Sequence, residues 1–185
     1  CIRDSTGRMS EPEDIVEAIC EVLNPVPQDL AGKRIVITAG PTHEPIDPVR
    51  FIGNRSSGKM GIALAGEAAR RGAAVTLVLG PTSLDVGRGV ECVRVQTAAE
   101  MLQAALGAFQ TADAAICAAA VADYTPAAPA DHKLKKANER LDRIELVETV
   151  DILAELSRQK GERRVIGFAA ETDNVVAVSY THLTL

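Results

Sequence analysis

Short apolar segments alternate with amphipathic segments over most of the chain. The apolar segments are rich in Val, Ile, Leu and Ala and have the length of buried β-strands; they are residues 34–38, 75–79, 92–95, 114–118 and 164–168. Between them, three segments have helical spacing, at residues 58–71, 97–109 and 149–159. Strands that alternate with helices of this length form right-handed βαβ units. The sequence therefore predicts an α/β fold, with a Rossmann-like open, mainly parallel sheet and helices on both faces.

Capping signals mark where several helices begin. Residues 10–13 have capping-box spacing with Pro in the first turn, and the apolar repeat that follows predicts a helix that Pro25 ends. Residues 97–100 form a second capping box, and Thr149 is placed to cap the last helix. Residues 1–32 are too few to build a core, so we interpret them as a docked helix or the tail of a preceding domain, followed by a linker.

An irregular insert separates the strand at 114–118 from the last helix. It opens with a Pro/Ala loop at residues 124–132, after which residues 133–136 and 143–147 are predicted to pair as a charged two-stranded arm. In open α/β sheets, ligands bind beyond the carboxyl ends of the strands. We therefore expect the loops after the first, fourth and fifth predicted strands to meet at one cleft.

Composition and charge narrow the function classes. Apolar residues make up 46% of the chain, but only 3% are aromatic and Trp is absent, which predicts a core of small aliphatic side chains. The net charge of −5 and the lack of a basic block argue against a nucleic-acid surface. Neither an apolar run of about 18–20 residues nor a signal peptide is present, so a cytoplasmic protein is expected.

Cysteine and histidine spacing gives no metal or disulfide signature. The four cysteines lie at least 19 positions apart, and Cys92 and Cys117 sit in apolar strand-like runs, where we expect small buried thiols. The histidines, His43, His132 and His182, lack metal-ligand spacing. We therefore predict no metal held by protein ligands alone.

A phosphate-binding pattern follows the first predicted strand. Gly53, Gly58 and Lys59 nearly complete a P-loop, but Met60 occupies the hydroxyl position and about fifteen residues separate the strand from Gly53. The same gap argues against a dinucleotide fingerprint. Two interpretations stay open for Ser56–Gly58: a phosphate cradle at a helix N-terminus, or an ordinary Ser N-cap.

Four further features each allow a functional and a structural interpretation. Asn54 is suited to donate to an oxyanion or to order its loop as an Asx-turn. The small residues at 118–123 allow a base or sugar to approach, or simply pack against a helix. Lys133 and its neighbouring lysines would neutralise a phosphoryl group or form a solvated face. Phe168 would lie in the core or stack at the cleft.

Together these segments resemble phosphopantothenoylcysteine synthetase, which in bacteria is usually the C-terminal half of a bifunctional coenzyme A biosynthesis enzyme. The resemblance rests on four ordered motifs at residues 38–61, 118–124, 133–136 and 167–172, and covers residues 33–174. It implies a homodimeric ligase that joins 4′-phosphopantothenate to cysteine using CTP and Mg²⁺. An acyl-cytidylate forms first, and CMP and pyrophosphate are released.

The resemblance also implies roles for individual residues. Lys133 would offset charge on the α-phosphate, and Asn54 would stabilise the oxyanion when the cysteine amine attacks. The implied nucleotide-binding residues are Gly40, Ser56, Ser57, Gly58, Lys59, Met60, Gly61, Cys117, Ala118, Ala119, Asp123, Lys133, Val150, Asp151, Ile152, Leu153 and Phe168. The implied substrate-binding residues are Asn54, Ala119 and Ala120.

The ends of the chain are expected to differ from the ligase domain. Cys1, with the Gly-Arg-Met turn that follows, is similar to the proton-donor cysteine at the end of the partner decarboxylase, so residues 1–32 would be its tail. Without the flavin-binding body we expect neither decarboxylation nor bound FMN. Residues 175–185 do not resemble the family and read as a truncated or aberrant end. Two alternatives therefore accompany the ligase: an inactive nucleotide-binding fragment, and a Rossmann-type NAD(P)-binding protein.

Overall fold

The computed structural model describes residues 11–23, 25–135 and 142–168 of the 185-residue chain. In chain order the elements are α1 (Pro12–Leu23), β1 (Arg34–Ala39), β2 (His43–Pro45), β3 (Phe51–Gly53), α2 (Lys59–Arg70), β4 (Ala74–Leu79), β5 (Val90–Arg94), α3 (Ala98–Phe109), β6 (Ala114–Cys117), β7 (Tyr124–Pro126), β8 (Leu146–Glu148), α4 (Ile152–Arg158) and β9 (Arg164–Gly167).

A five-stranded parallel sheet in the order β5-β4-β1-β6-β9 forms the centre of the fold. Ile37 of β1 lies opposite Leu77 on one side and Ile116 on the other. The chain first builds the sheet outward from β1 through β4 and β5, then reverses and adds β6 and β9. This reversal between β1 and β6 is the topological switch point of a doubly wound sheet. The predicted Rossmann-like fold is confirmed.

Helices cover both faces of the sheet, as predicted. Side chains alternate between faces along each strand, so Ile35 and Ile37 of β1 pack with α2, through Ala65 and Ala68. Val36, between them, packs on the opposite face with α3 and α4. The helices bury mainly small and aliphatic residues, with Phe109 of α3 as a buried aromatic side chain.

Two of the three helix starts with capping signals lie within the described residues and can be compared with them. In α3 the capping box is present: Thr97 accepts from the Glu100 N–H, and Glu100 accepts from the Thr97 N–H. The prediction for α4 was wrong, because Asp151 caps it by accepting from the Ala154 N–H at 2.9 Å. Thr149 instead donates its hydroxyl to the Ala122 carbonyl at 2.6 Å. The cap predicted for α1 includes residue 10, outside the described residues.

The arm is two-stranded, but its first strand is not the predicted one. β7 pairs antiparallel with β8, and Tyr124 lies opposite Glu148. Residues 133–135 lie in no strand, and Lys136 falls outside the described residues. The β2–β3 hairpin was not predicted; in it the rings of His43 and Phe51 stack with their centroids 3.7 Å apart.

In the described part of the chain, every helix is too short or too polar to cross a bilayer.

Candidate functional site

The carboxyl ends of β1, β6 and β9 lie side by side at the switch point. Thr38 is opposite Cys117, and Cys117 is opposite Gly167. Beyond the last pair, the Phe168 N–H donates to the Cys117 carbonyl at 3.3 Å. The carboxyl ends of these three strands therefore share one edge, from which the loops after β1 and β6 leave. The loop predicted to follow β9 lies outside the described residues.

Backbone hydrogen bonds continue between the first two loops after the strands end. The Ala120 N–H donates to the Gly40 carbonyl at 2.9 Å, and the Thr42 N–H donates to the Ala120 carbonyl at 3.3 Å. The buried Thr42 hydroxyl then accepts from the Ala122 N–H at 3.0 Å. These bonds hold the segment from Ala118 to Ala122 against Gly40 and Thr42. Its first three residues, 118–120, are all alanines.

The N-terminus of α2 lies directly on the end of β1 because glycines remove the side chains between them. A Cβ added to Gly61 would lie 2.4 Å from the Ala39 Cβ, and one added to Gly58 would lie 3.3 Å from the Gly40 Cα. Gly58 has a φ of 78°, a left-handed conformation that residues with a Cβ rarely adopt. The first turn of α2 therefore begins at the switch point itself.

The Ser N-cap interpretation was wrong. Gly58 holds the N-cap position, and no side chain caps the helix. The Ser56 hydroxyl accepts from the Gly58 N–H at 3.3 Å, and the Ser57 hydroxyl accepts from the Lys59 N–H at 3.5 Å. Both N–H groups precede the first intrahelical bond. The first intrahelical bond runs from Ile62 to Gly58, so the Met60 and Gly61 N–H groups precede it. Backbone donors, two hydroxyls and the exposed Lys59 are therefore grouped here, and Met60 is 47% exposed.

Asn54 joins this segment to the loop after β6. Its side-chain amide donates to the Val121 carbonyl at 2.8 Å, 67 positions along the chain. The bond is therefore not the local Asx-turn that the sequence left open. It places Asn54 beside the loop that carries Ala119 and Ala120, which are the other two residues with an implied substrate role.

The junction of β8 and α4 borders the site next to the loop after β6. The Thr149 N–H donates to the Asp123 carbonyl at 2.9 Å, which ties this junction to the loop after β6. Leu153 packs so closely on Gly167 that an added Cβ there would lie 2.4 Å from its Cδ2. Ile152 is buried, whereas Val150 and Phe168 are 55% and 52% exposed. The core interpretation of Phe168 was therefore wrong, and its ring is accessible for stacking.

Lys133 is anchored elsewhere. Its exposed side chain belongs to a loop held by the turn of the β2–β3 hairpin: the next residue, Leu134, donates its N–H to Asp47 at 3.2 Å and accepts from Arg50 at 2.6 Å. In the part of the chain described, no hydrogen bond or ion pair joins Lys133 to the other candidate residues. Cys1 lies outside that part.

Two buried carboxylates in the hairpin, Glu44 and Asp47, were not among the predicted site residues; each is 3% exposed. Glu44 accepts from the Ala98 N–H at 2.8 Å, at the start of α3. Asp47 precedes a proline, and an Asx-Pro pair is a turn signal, so its turn was detectable. Its contact with Leu134 was not, since 87 positions separate the two residues.

Cys117 carries a neutral thiol at the carboxyl end of β6. Burial raises its pKa to about 12, and the charge of Asp151 adds to the effect, whereas a hydrogen bond with Thr38 lowers it slightly. As whole residues, Cys92 and Cys117 have intermediate exposure and are less buried than the sequence predicted; the Cys117 thiol itself is the desolvated part of its residue. It remains protonated near neutral pH and therefore lines the site as a small weakly polar group.

This raised pKa predicts an alkaline loss of stability. The unfolded chain releases the thiol proton near pH 8.5, but the folded chain keeps it to about pH 12, so the free energy of unfolding should fall as pH rises between these values. Urea unfolding at pH 7.5 and pH 10 should show a steeper decline for the wild type than for Cys117→Ala. Equal declines would contradict the assignment.

No three His, Cys, Asp or Glu side chains are grouped as a metal site requires within residues 11–23, 25–135 and 142–168.

Comparisons with known proteins agree with this architecture. The family model for the C-terminal domain of the DNA/pantothenate metabolism flavoproteins matches residues 30–184. The coenzyme A biosynthesis bifunctional protein CoaBC of Bacillus subtilis is 49% identical over 171 residues, which are 91% of this chain and 42% of that protein. The chain thus spans less than half the length of this relative.

Solved structures of related domains have a similar fold. The crystal structure of the C-terminal domain of a CoaBC protein has a TM-score of 0.73 and 49% identity, covering 83% of this chain and 72% of that one. A Cab2 mutant in complex with phosphopantothenate-cysteine has a TM-score of 0.61 over 92% of this chain and 74% of its own, but is only 15% identical, which shows a shared fold alone. On the family match and the close relative, this chain belongs to the family of the C-terminal domain of the DNA/pantothenate metabolism flavoproteins.

Proposed function

We propose that the chain is a ligase of coenzyme A biosynthesis that joins 4′-phosphopantothenate to cysteine. CTP would activate the carboxylate as an acyl-cytidylate with release of pyrophosphate, and the cysteine amine would then displace CMP. The observation that carries this proposal is the convergence of the first turn of α2, the loop after β6 and the start of α4 at one switch point. Membership of the family and the 49% identical CoaBC relative support the reaction class.

The nucleotide would lie across the carboxyl ends of the central strands. Its phosphates would meet the first turn of α2, where the Met60 and Gly61 N–H groups precede the first intrahelical bond. The partial positive charge of a helix N-terminus favours anions there. The residues are Ser56, Ser57, Gly58, Lys59, Met60 and Gly61. Gly40 and residues 117–119 would form the floor, Asp123 would accept from the sugar or base, and the exposed Phe168 and residues 150–153 would close the side.

The reaction needs an electrophile stronger than a free carboxylate. Transfer of the nucleotide α-phosphate to the carboxylate oxygen, with pyrophosphate as leaving group, provides it. Lys133 would offset the charge that develops at phosphorus, which requires its loop to bring the ammonium group to the cleft. In the second step Asn54 would orient the acyl group or its oxyanion, from a position beside Ala119 and Ala120. Mg²⁺ would bind through the nucleotide phosphates, the ligands it usually takes in nucleotide-dependent sites.

A homodimer is also proposed, and exposed apolar side chains on two neighbouring elements support it. Exposed hydrophobic residues occur on the β2–β3 hairpin and on the neighbouring β7–β8 arm: Val49, Phe51, Tyr124, Leu146 and Val147. Large exposed apolar patches commonly mark protein interfaces. Sedimentation as a monomer at the concentrations used for binding would contradict this. The division into residues 1–32, 33–174 and 175–185, and a cytoplasmic location, remain predictions.

Parallel calorimetric titrations with Mg-CTP, Mg-ATP and NADP⁺ test the nucleotide site. We expect selective binding of CTP, because the family resemblance implies that nucleotide. Binding of NADP⁺ alone would instead favour a Rossmann-type NAD(P)-binding protein, and binding of none would contradict the site. A pyrophosphate-release assay then separates a working ligase from an inactive nucleotide-binding fragment, which would bind CTP without turnover.

A further inference from the structure

The turn of the β2–β3 hairpin contains an ionised carboxylate with several donors. Asp47 is 3% exposed, and one of its oxygens accepts from the N–H groups of Val49 and Arg50, both at 2.8 Å. Its other oxygen lies 3.1 Å from the Arg50 guanidinium and accepts from the Leu134 N–H at 3.2 Å. Burial alone would raise the pKa of Asp47, but these N–H groups and Arg50 hold it below its usual value.

Two of these bonds are local, but the bond to Leu134 crosses the fold. The Leu134 N–H belongs to the peptide group that links Lys133 to Leu134, and the Leu134 carbonyl accepts from Arg50 at 2.6 Å. Three residues before Lys133, the Ala130 N–H donates to the Ile46 carbonyl at 2.9 Å. The insert is therefore attached to the turn on both sides of Lys133, while the Lys133 side chain stays exposed.

A local turn needs only the bonds to Val49 and Arg50. The bond to Leu134 is not part of the turn. It fixes the position of the Lys133–Leu134 peptide and therefore of the Lys133 backbone. Charge-assisted hydrogen bonds are about twice as strong as neutral ones, which suits a contact that must hold a long insert in place. Catalytic groups misplaced by about 1 Å lose about 10²-fold in rate, so such a contact affects chemistry strongly.

We propose that Asp47 is a positioning residue, which holds the peptide between Lys133 and Leu134 and thereby sets the point from which the Lys133 ammonium reaches the nucleotide. The inference rests on the proposed ligase function for its effect on rate, but the contact itself is independent of it. It predicts a loss confined to the step that Lys133 serves, the formation of the acyl-cytidylate.

Asp47→Asn tests this with a side chain of the same size. The amide can still accept from the local N–H groups, but it presents a donor or a neutral acceptor to Leu134 and loses the charge opposite Arg50. Pyrophosphate release in a single turnover should fall at least about 10-fold, with the calorimetric Kd for CTP unchanged within about twofold. In the Lys133→Gln background the same substitution should cause no further loss, because the residue it positions is already gone.

Glu44→Gln is the matched control. Glu44 lies in the same hairpin, is equally buried and also accepts a backbone N–H, but that N–H belongs to Ala98 of α3. We expect Glu44→Gln to lower the midpoint of urea unfolding and to leave the rate of pyrophosphate release in the folded protein near that of the wild type. If Asp47→Asn does not fold, Asp47→Glu, which keeps the charge but moves the carboxylate, is measured by the same criteria.

Hydrogen exchange separates this inference from the proposed function. In Asp47→Asn, the amide of Leu134 should exchange faster, whereas in Glu44→Gln it should not. Unchanged exchange, an unchanged rate, or a rate loss that adds fully to that of Lys133→Gln would each overturn the positioning role. A wild-type protein that releases no pyrophosphate would refute the ligase function, and faster exchange at Leu134 in Asp47→Asn would still support the contact.

Discussion

Lys133→Gln is expected to lower pyrophosphate release from CTP and 4′-phosphopantothenate by about 10²–10³-fold, the usual cost of removing one group that stabilises transition-state charge. Glutamine keeps most of the side-chain length but loses the positive charge that would face the α-phosphate. The defect should appear before cysteine is added, since Lys133 is proposed to act in the first half-reaction. Quenched single-turnover measurement of pyrophosphate checks this.

Lys135→Gln is the control for this prediction. Lys135 lies two positions along the same exposed loop, so a general effect of lowering the positive charge of the insert would slow both variants alike. We expect Lys135→Gln to retain nearly the wild-type rate. Normal pyrophosphate release in Lys133→Gln would remove Lys133 from the mechanism, and equal losses in the two variants would assign the effect to the charge of the loop.

Asn54→Asp is expected to accumulate the acyl-cytidylate. The Asn54 amide donates to the Val121 carbonyl at 2.8 Å, and an aspartate would place a negative oxygen against that acceptor. It would also put negative charge where the second half-reaction develops an oxyanion. The second step should therefore slow by about 10²–10³-fold, more than the first. Mass spectrometry of the quenched protein without and with cysteine would detect the trapped intermediate.

Thr82→Val provides a matched control for Asn54→Asp. The Thr82 hydroxyl donates to the Ser57 carbonyl at 2.9 Å, so the substitution also removes one exposed hydrogen bond to the segment before α2. It also removes the acceptor of the Leu84 N–H, but it introduces no charge and leaves the contact between Asn54 and Val121 in place. A disturbance of the Ser57 segment should therefore slow both half-reactions alike and trap no intermediate. If Asn54→Asp slows both half-reactions equally and traps no intermediate, its effect is on the shape of the loop rather than on the second step.

Much of the candidate site was predictable because its residues follow directly from strand ends. Once residues 34–38, 114–118 and 164–168 are identified as neighbouring parallel strands, their carboxyl ends must share one edge of the sheet. Gly40, Ala118 and Phe168 lie at or just after these ends and are therefore predicted at the same edge. The α3 capping box was predictable for the same local reason, since Thr97 and Glu100 satisfy each other's backbone within one turn. Neither inference depends on how distant segments meet.

The errors have a shared physical cause. Thr149 was predicted to cap a helix, and a Ser N-cap was one of two interpretations open for residues 56–58, because these residue types suit that role. Thr149 donates to Ala122 instead, and Asp151 takes its place at α4. At α2, the close contact of Gly58 with Gly40 sets where the helix begins. Local preference is worth only about 1 kcal/mol at a cap, so tertiary contacts readily override it.

By itself, the sequence determined the alternation of strands and helices, the parallel sheet and the small residues that follow its strands. These follow from periodicity and residue size, which act over a few neighbouring positions. Only the tertiary structure decided that β7 pairs with β8, that Asn54 reaches Val121, and that Asp47 holds the peptide beside Lys133. Each of these contacts joins segments more than 15 positions apart, and the path of the chain, rather than the preference of either residue, brings the partners together.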